Sequence, residues 1–170
     1  ITNKQGKPLM TDYREISVTG EDLVKFVPNK GFDAQSKAWS SALIIPLKPG
    51  SGVGVKIMTP DKITGYTEAQ YRQASLDSGI FDAEIRIASP KILDGSGAFS
   101  GIRKAYEDEN PATTPEEAQA RQENYAMSQQ NMEDLASLAQ EQSGNEQYDD
   151  NAVNIALAEV KQEISDQLQP

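Results

Sequence analysis

Charge is distributed along this chain so unevenly that the two ends cannot fold by the same rules. Residues 1–104 carry 14 Lys and Arg against 11 Asp and Glu, a net of +3, whereas residues 105–170 carry 2 against 15, a net of −13. A segment that acidic cannot bury charge on all sides, so the C-terminal third is expected to form extended, solvated helix or an interaction arm. The mean hydropathy of −0.59 and an aromatic content of 6% across 170 residues agree with one modest core plus an appendage.

The absent residue types narrow the chemistry. With no cysteine and no histidine, disulfides, thiol catalysis and Cys-ligated metal sites are excluded. The commonest general base and the commonest transition-metal ligand are missing as well. These absences point away from an enzyme and toward a chain that needs neither cofactor nor metal. The longest apolar run, residues 42–45, stops at Pro46, far short of a membrane-crossing segment. The expected protein is therefore soluble and has no membrane span. It begins at Ile1 rather than Met, and a leader removed before Ile1 would place it in a virion or outside the cell.

Local patterns predict a small mixed α/β domain of the α+β class with antiparallel strands over 1–106, a linker at 107–113, and an acidic helical hairpin over 114–170. Residues 13–19 alternate and are predicted as a strand, and residues 20–26 as a short helical turn stopped before Pro28. Residues 38–47 and 53–58 read as strands joined by the turn residues Lys48-Pro49-Gly50-Ser51-Gly52, hence as a β-hairpin with Pro46 at an edge or terminus. Thr67 is an N-cap and Gly79 a helix stop. Residues 81–88 form the clearest strand, with Phe81, Ala83, Ile85 and Ile87 inward and Asp82, Glu84 and Arg86 outward. A short helix is expected over 99–106. On this pattern residues 1–106 are expected to fold without the arm.

In the arm, Thr114-Pro115-Glu116-Glu117 places a capping residue, a proline at N1 and a carboxylate at N3. The first helix should run to about residue 142. The second, over about 151–169, carries Val153, Leu157, Val160, Ile164 and Leu168 at steps of three and four, which keeps them on one narrow face. That stripe is the predicted partner-binding site. Its alternative role is to close the hairpin against Met132 and Leu135.

Three further patterns bear on chemistry. Residues 49–56 are glycine-rich but lead into a strand, whereas a phosphate-binding loop must lead into a helix. Residues 94–104 could cradle an anion with Arg103 and Lys104, but the glycine spacing fits no nucleotide motif. Asp82 and Glu84, with Pro60-Asp61 upstream and Arg86 in place of a lysine, approach a metal-dependent nuclease pattern. Arg86 stays protonated and cannot serve as a base.

The cations Lys37, Lys48, Lys56, Lys62, Arg72, Arg86 and Lys91, interleaved with Phe32, Trp39, Tyr66 and Tyr71, suggest a second function, single-stranded nucleic-acid binding regulated by the acidic arm. A net of +3 is weak for it. A carboxylate-metal enzyme is a third alternative. The leading expectation is a non-enzymatic structural protein working through protein–protein interaction or self-association. It would be an oligomeric subunit of a virion, appendage or secretion apparatus.

Overall fold

The computed structural model of the protein describes residues 13–28, 30–142, 155, 156, 159–164 and 167. The order is α1 (Gly20–Phe26), β1 (Ser41–Pro46), β2 (Val53–Ile57), α2 (Glu68–Ser78), β3 (Ala83–Ala88), α3 (Ser96–Glu109) and α4 (Pro115–Gln142). Residues 155, 156, 159–164 and 167 are helical. The fold is α+β, a small domain with one sheet, as the sequence pattern implies.

β3 lies at the centre. Ala83, Ile85 and Ile87 are buried to 1% exposure or less, while Glu84 and Arg86 point to the other face and pair with each other. This is the alternation read from the sequence, and it gives the strand one apolar face for helices to cover, while a neighbouring strand on each edge takes up its backbone groups.

The expected hairpin therefore does not form. The sheet order is β1-β3-β2, with β1 antiparallel to β3 and β2 parallel to it. The connection over residues 47–52 crosses the start of β3, a span of about two interstrand spacings, or ~10 Å. Six residues cover that distance easily, so a short glycine-rich connection did not require its strands to be neighbours. The parallel pair β2–β3 needs a crossover element, and α2 supplies it. Pro46 ends β1 on an outer edge, where its missing N–H costs no ladder bond.

The expected strand over 13–19 is also corrected. The segment is extended but enters no ladder. Its polar groups are taken instead by α3: Arg14 pairs with Asp108 at 3.1 Å and Glu109 at 2.6 Å, and the Ser17 carbonyl accepts from Lys104 Nζ at 2.8 Å.

Helix ends follow the sequence closely. Thr19 with Asp22 and Thr67 with Gln70 form reciprocal capping boxes. Gly79 closes α2 with φ 94°; a Cβ there would also lie 2.7 Å from the Tyr106 hydroxyl. α4 starts at Pro115, and Thr114 Oγ1 accepts from Glu117 N at 3.1 Å. The Glu117 carboxylate reaches one residue further back than the usual box, to the Thr113 N–H at 2.8 Å. α3 begins three residues before the expected start and continues to Glu109, so residues 107–109 of the expected linker belong to it.

The Asp22 carboxyl is held below its ordinary value of 3.8: burial opposes the charge, but Lys104 Nζ at 2.7 Å and the Thr19 N–H and hydroxyl outweigh it. A carboxyl lowered on folding binds fewer protons folded than unfolded. Its contribution is complete above the unfolded value and is lost as pH falls through the folded one. The melting temperature should fall as pH is lowered below about 5, and Asp22→Asn should be less stable than wild type at neutral pH with a shallower acid decline. Parallel declines in the two proteins would show that this carboxylate carries no acid sensitivity.

α4 is not simply a solvated arm. Tyr125, Ser128, Gln129 and Met132 are buried, and Met132 belongs to the same cluster as Tyr71, Ile85, Phe99 and Ile102. The Tyr125 ring meets Phe26 of α1 edge-on, centroids 5.7 Å apart.

Candidate functional site

The predicted partner-binding stripe falls on the C-terminal helical segment. Val153, Leu157 and Leu168 lie outside the described residues; Val160 and Ile164 are described, and both are about half exposed, at 52% and 53%. The segment meets the domain with its polar side. Gln162 Oε1 accepts from the outward N–H of Val53 at 3.3 Å, and its Nε2 donates to the Phe81 carbonyl at 3.4 Å. Lys161 pairs with Asp77 at 2.7 Å.

Helical geometry explains the arrangement. At about 100° per residue, Val160 and Ile164 sit ~40° apart, while Gln162 lies ~160° from Val160. Seating Gln162 on the sheet edge therefore turns the apolar pair outward. Met132 is buried in the core of the domain.

The edge of β2 explains why a glutamine docks there. In the parallel pair, alternate N–H groups of β2 point away from β3, and an unpaired edge invites another strand. Gln162 takes the Val53 N–H, and Glu68 Oε1 takes the Ile57 N–H at 2.8 Å. Between helix and strand runs an open cleft of about 430 Å³, lined by the 51–54 backbone, Arg72, Glu159, Gln162 and Glu163.

The docking contact reaches the core through a relay of polar groups. Ser128 Oγ donates to the second oxygen of Asp77 and accepts from Arg103 Nη2 at 3.3 Å. Arg103 is fully buried. Its guanidinium stands between the rings of Phe99 and Tyr125, 4.7 and 4.6 Å from their centroids, and Nη1 donates to the Phe26 carbonyl. Burial lowers it to about 10, against the opposing pull of Asp77, so it remains charged at neutral pH. Helices α1, α2, α3 and α4 thus meet at one cation.

The alternative sites are dispersed. Arg103 is not at the 94–97 loop, and Lys104 pairs with Asp22. The α3 N-terminus is already satisfied: Asp94 accepts from Ser96 N at 3.0 Å, and Ser40 Oγ accepts from Ala98 N at 2.8 Å. Asp82 Oδ1 accepts from Gly52 N at 2.9 Å, and Glu84 is paired with Arg86. Among the described residues no group of three or more such side chains is placed to hold a metal. Tyr66 and Tyr71 are core residues, which removes both from any base-stacking role.

Asp77 and Gln162 went unmarked in the sequence because nothing in their spacing joins positions so far apart. Lys161 left a signal: it is the one cation after Arg121.

Residues 3–170 match the family described as Protein of unknown function (DUF1002), and the chain belongs to that family. It is similar to the Uncharacterized protein YpuA of Bacillus subtilis (strain 168), 34% identical over 87 residues, which is 51% of this chain and 28% of that protein. The match thus spans little more than a quarter of the relative's length. No solved structure matches the chain. Among the described residues no helix is long and apolar enough to cross a membrane.

Proposed function

We propose that this member of the family is a non-enzymatic structural and interaction protein, a self-associating subunit of a larger assembly such as a virion, appendage or secretion apparatus, which makes its contact through the C-terminal helix. One observation carries the reading. The helix is held on the domain by Lys161 and Gln162, and this turns Val160 and Ile164 to solvent. A helix that served only to finish the fold would be expected to turn its apolar side inward. Covering a Val or Ile side chain is worth roughly 1.5–3 kcal/mol when burial is complete. The exposed pair is therefore a concentrated source of binding free energy on an otherwise acidic helix.

Sedimentation velocity over a concentration series tests the reading. The wild-type chain should gain mass with concentration. The double variant Val160→Asp, Ile164→Asp should sediment as a monomer while keeping a cooperative melting transition, because neither side chain belongs to the buried core. Equal masses for the two proteins at every concentration would refute it.

A further inference from the structure

The sheet has a second exposed apolar surface, at the end opposite the docked helix. β1 enters beside the last residue of β3, with Ser41 opposite Ala88, and β2 leaves there, Met58 N donating to the Ile87 carbonyl at 2.7 Å. Trp39, Met58 and Ile92 therefore gather at one rim, exposed by 47%, 51% and 75%. Cations accompany them. Lys91 Nζ lies 3.6 Å from the centre of the Trp39 ring, Lys62 Nζ donates to the Pro90 carbonyl at 3.3 Å, and Lys37 precedes Trp39 by two residues. Three carboxylates lie near them, and two are engaged locally: Asp94 accepts from Ser96 N and Glu68 from Ile57 N, while Asp61 is beside Lys62 in sequence.

We propose that this rim receives the C-terminal helix of a second copy of the chain, so that copies join head to tail. The inference rests on the self-association reading above and names the surface that the stripe meets. Charge complementarity favours it. Glu159 and Glu163 run beside the Val160–Ile164 stripe, within a C-terminal region of net −13. Pairing two stripes face to face would bring those carboxylates together, and like-charge juxtaposition across an interface is costly. The rim offers what the helix lacks, an aromatic and aliphatic surface edged by lysines.

Placement supplies the second argument. Gln162 binds at Val53, which is paired with Ala83, whereas the rim lies beyond Ala88. Five residues of strand separate them by about 16 Å. Val160 and Ile164 lie within about 3 Å of Gln162 along the helix axis, so this pair does not reach the rim of its own molecule. Contacts of this kind are heterologous: they close into a ring if the rotation between copies allows and otherwise propagate as a filament.

Two variants of the full chain test this together. The tail variant is Val160→Asp, Ile164→Asp; the head variant is Trp39→Glu, Ile92→Glu, with Lys62→Glu, Lys91→Glu as a second head variant should the first lower the melting temperature. Each should be monomeric alone. Mixed in equal amounts they should form dimers and stop there, because each retains the surface the other has lost. Wild-type assembly should weaken as salt is raised.

A head variant that assembles like wild type, beside a monomeric tail variant, would overturn the rim while leaving the stripe reading intact. A mixture that stays monomeric, from variants that are each monomeric alone, would overturn head-to-tail joining. A wild-type chain that stays monomeric, or variants that both assemble as it does, would refute both readings. If the head variant keeps its mass but loses binding to phosphatidylglycerol vesicles that wild type shows, the rim is a lipid-facing surface and the proposal fails.

Discussion

A chain ending at Tyr106 is expected to show no cooperative thermal transition. Sequence pattern places a complete domain before that residue, but α4 contributes to the same core. The cut removes Tyr125 and Met132, both at least 97% buried, at about 1.5–3 kcal/mol of apolar burial each. It also strips Arg103 of the Tyr125 ring, the Tyr125 carbonyl and Ser128. A buried charge that loses its partners costs several kcal/mol more. Together these losses approach the whole stability of an ordinary domain, about 5–15 kcal/mol.

A chain ending at Gln142 keeps all of these groups and should melt cooperatively; among the described residues it loses the Lys161–Asp77 pair and the bonds of Gln162 to Val53 and Phe81. Calorimetry and the near-ultraviolet circular dichroism of the buried tyrosines would compare the two. A sharp transition for the shorter chain would show that α4 is dispensable to the fold.

Arg103 should be the most sensitive single side chain in the molecule. Arg103→Ala is expected to cost about 3–5 kcal/mol, since it leaves a void between two rings and strands the Phe26 carbonyl without its charged donor. Arg103→Lys should recover little, because an ammonium cannot stack as a plane between Phe99 and Tyr125 or reach Phe26 and Ser128 at once. Arg103→Met should be the mildest of the three: it fills the slot without burying a charge, and replacing a buried ion by an apolar side chain of similar length is often tolerated. Urea midpoints at constant slope would rank them. A loss under about 1 kcal/mol for Arg103→Ala would show that the buried cation is not a keystone.

Purely local patterns were legible in advance. The alternation of β3, the caps at Thr67 and Thr114, the stop at Gly79 and the proline at the start of α4 depend on residues within a few positions of one another. Local sterics and short hydrogen bonds decide such features. Val160 and Ile164 were likewise identifiable as one apolar face from their four-residue step alone. Whether that face would turn inward or outward was not in the step.

What tertiary structure decided was partnership between distant segments. β3 entered between β1 and β2, where both of its edges find backbone partners and helices cover its apolar face, an arrangement that no six-residue connection reveals. Arg103 read as a loop cation and became the centre of the helical packing, because its partners Phe26, Tyr125 and Ser128 are 77, 22 and 25 residues away. The half-exposed position of Val160 and Ile164 goes with Gln162 satisfying an edge N–H of β2 and Lys161 pairing with Asp77. Periodicity specifies which residues share a face; only the full set of buried polar groups competing for partners determines which way that face points.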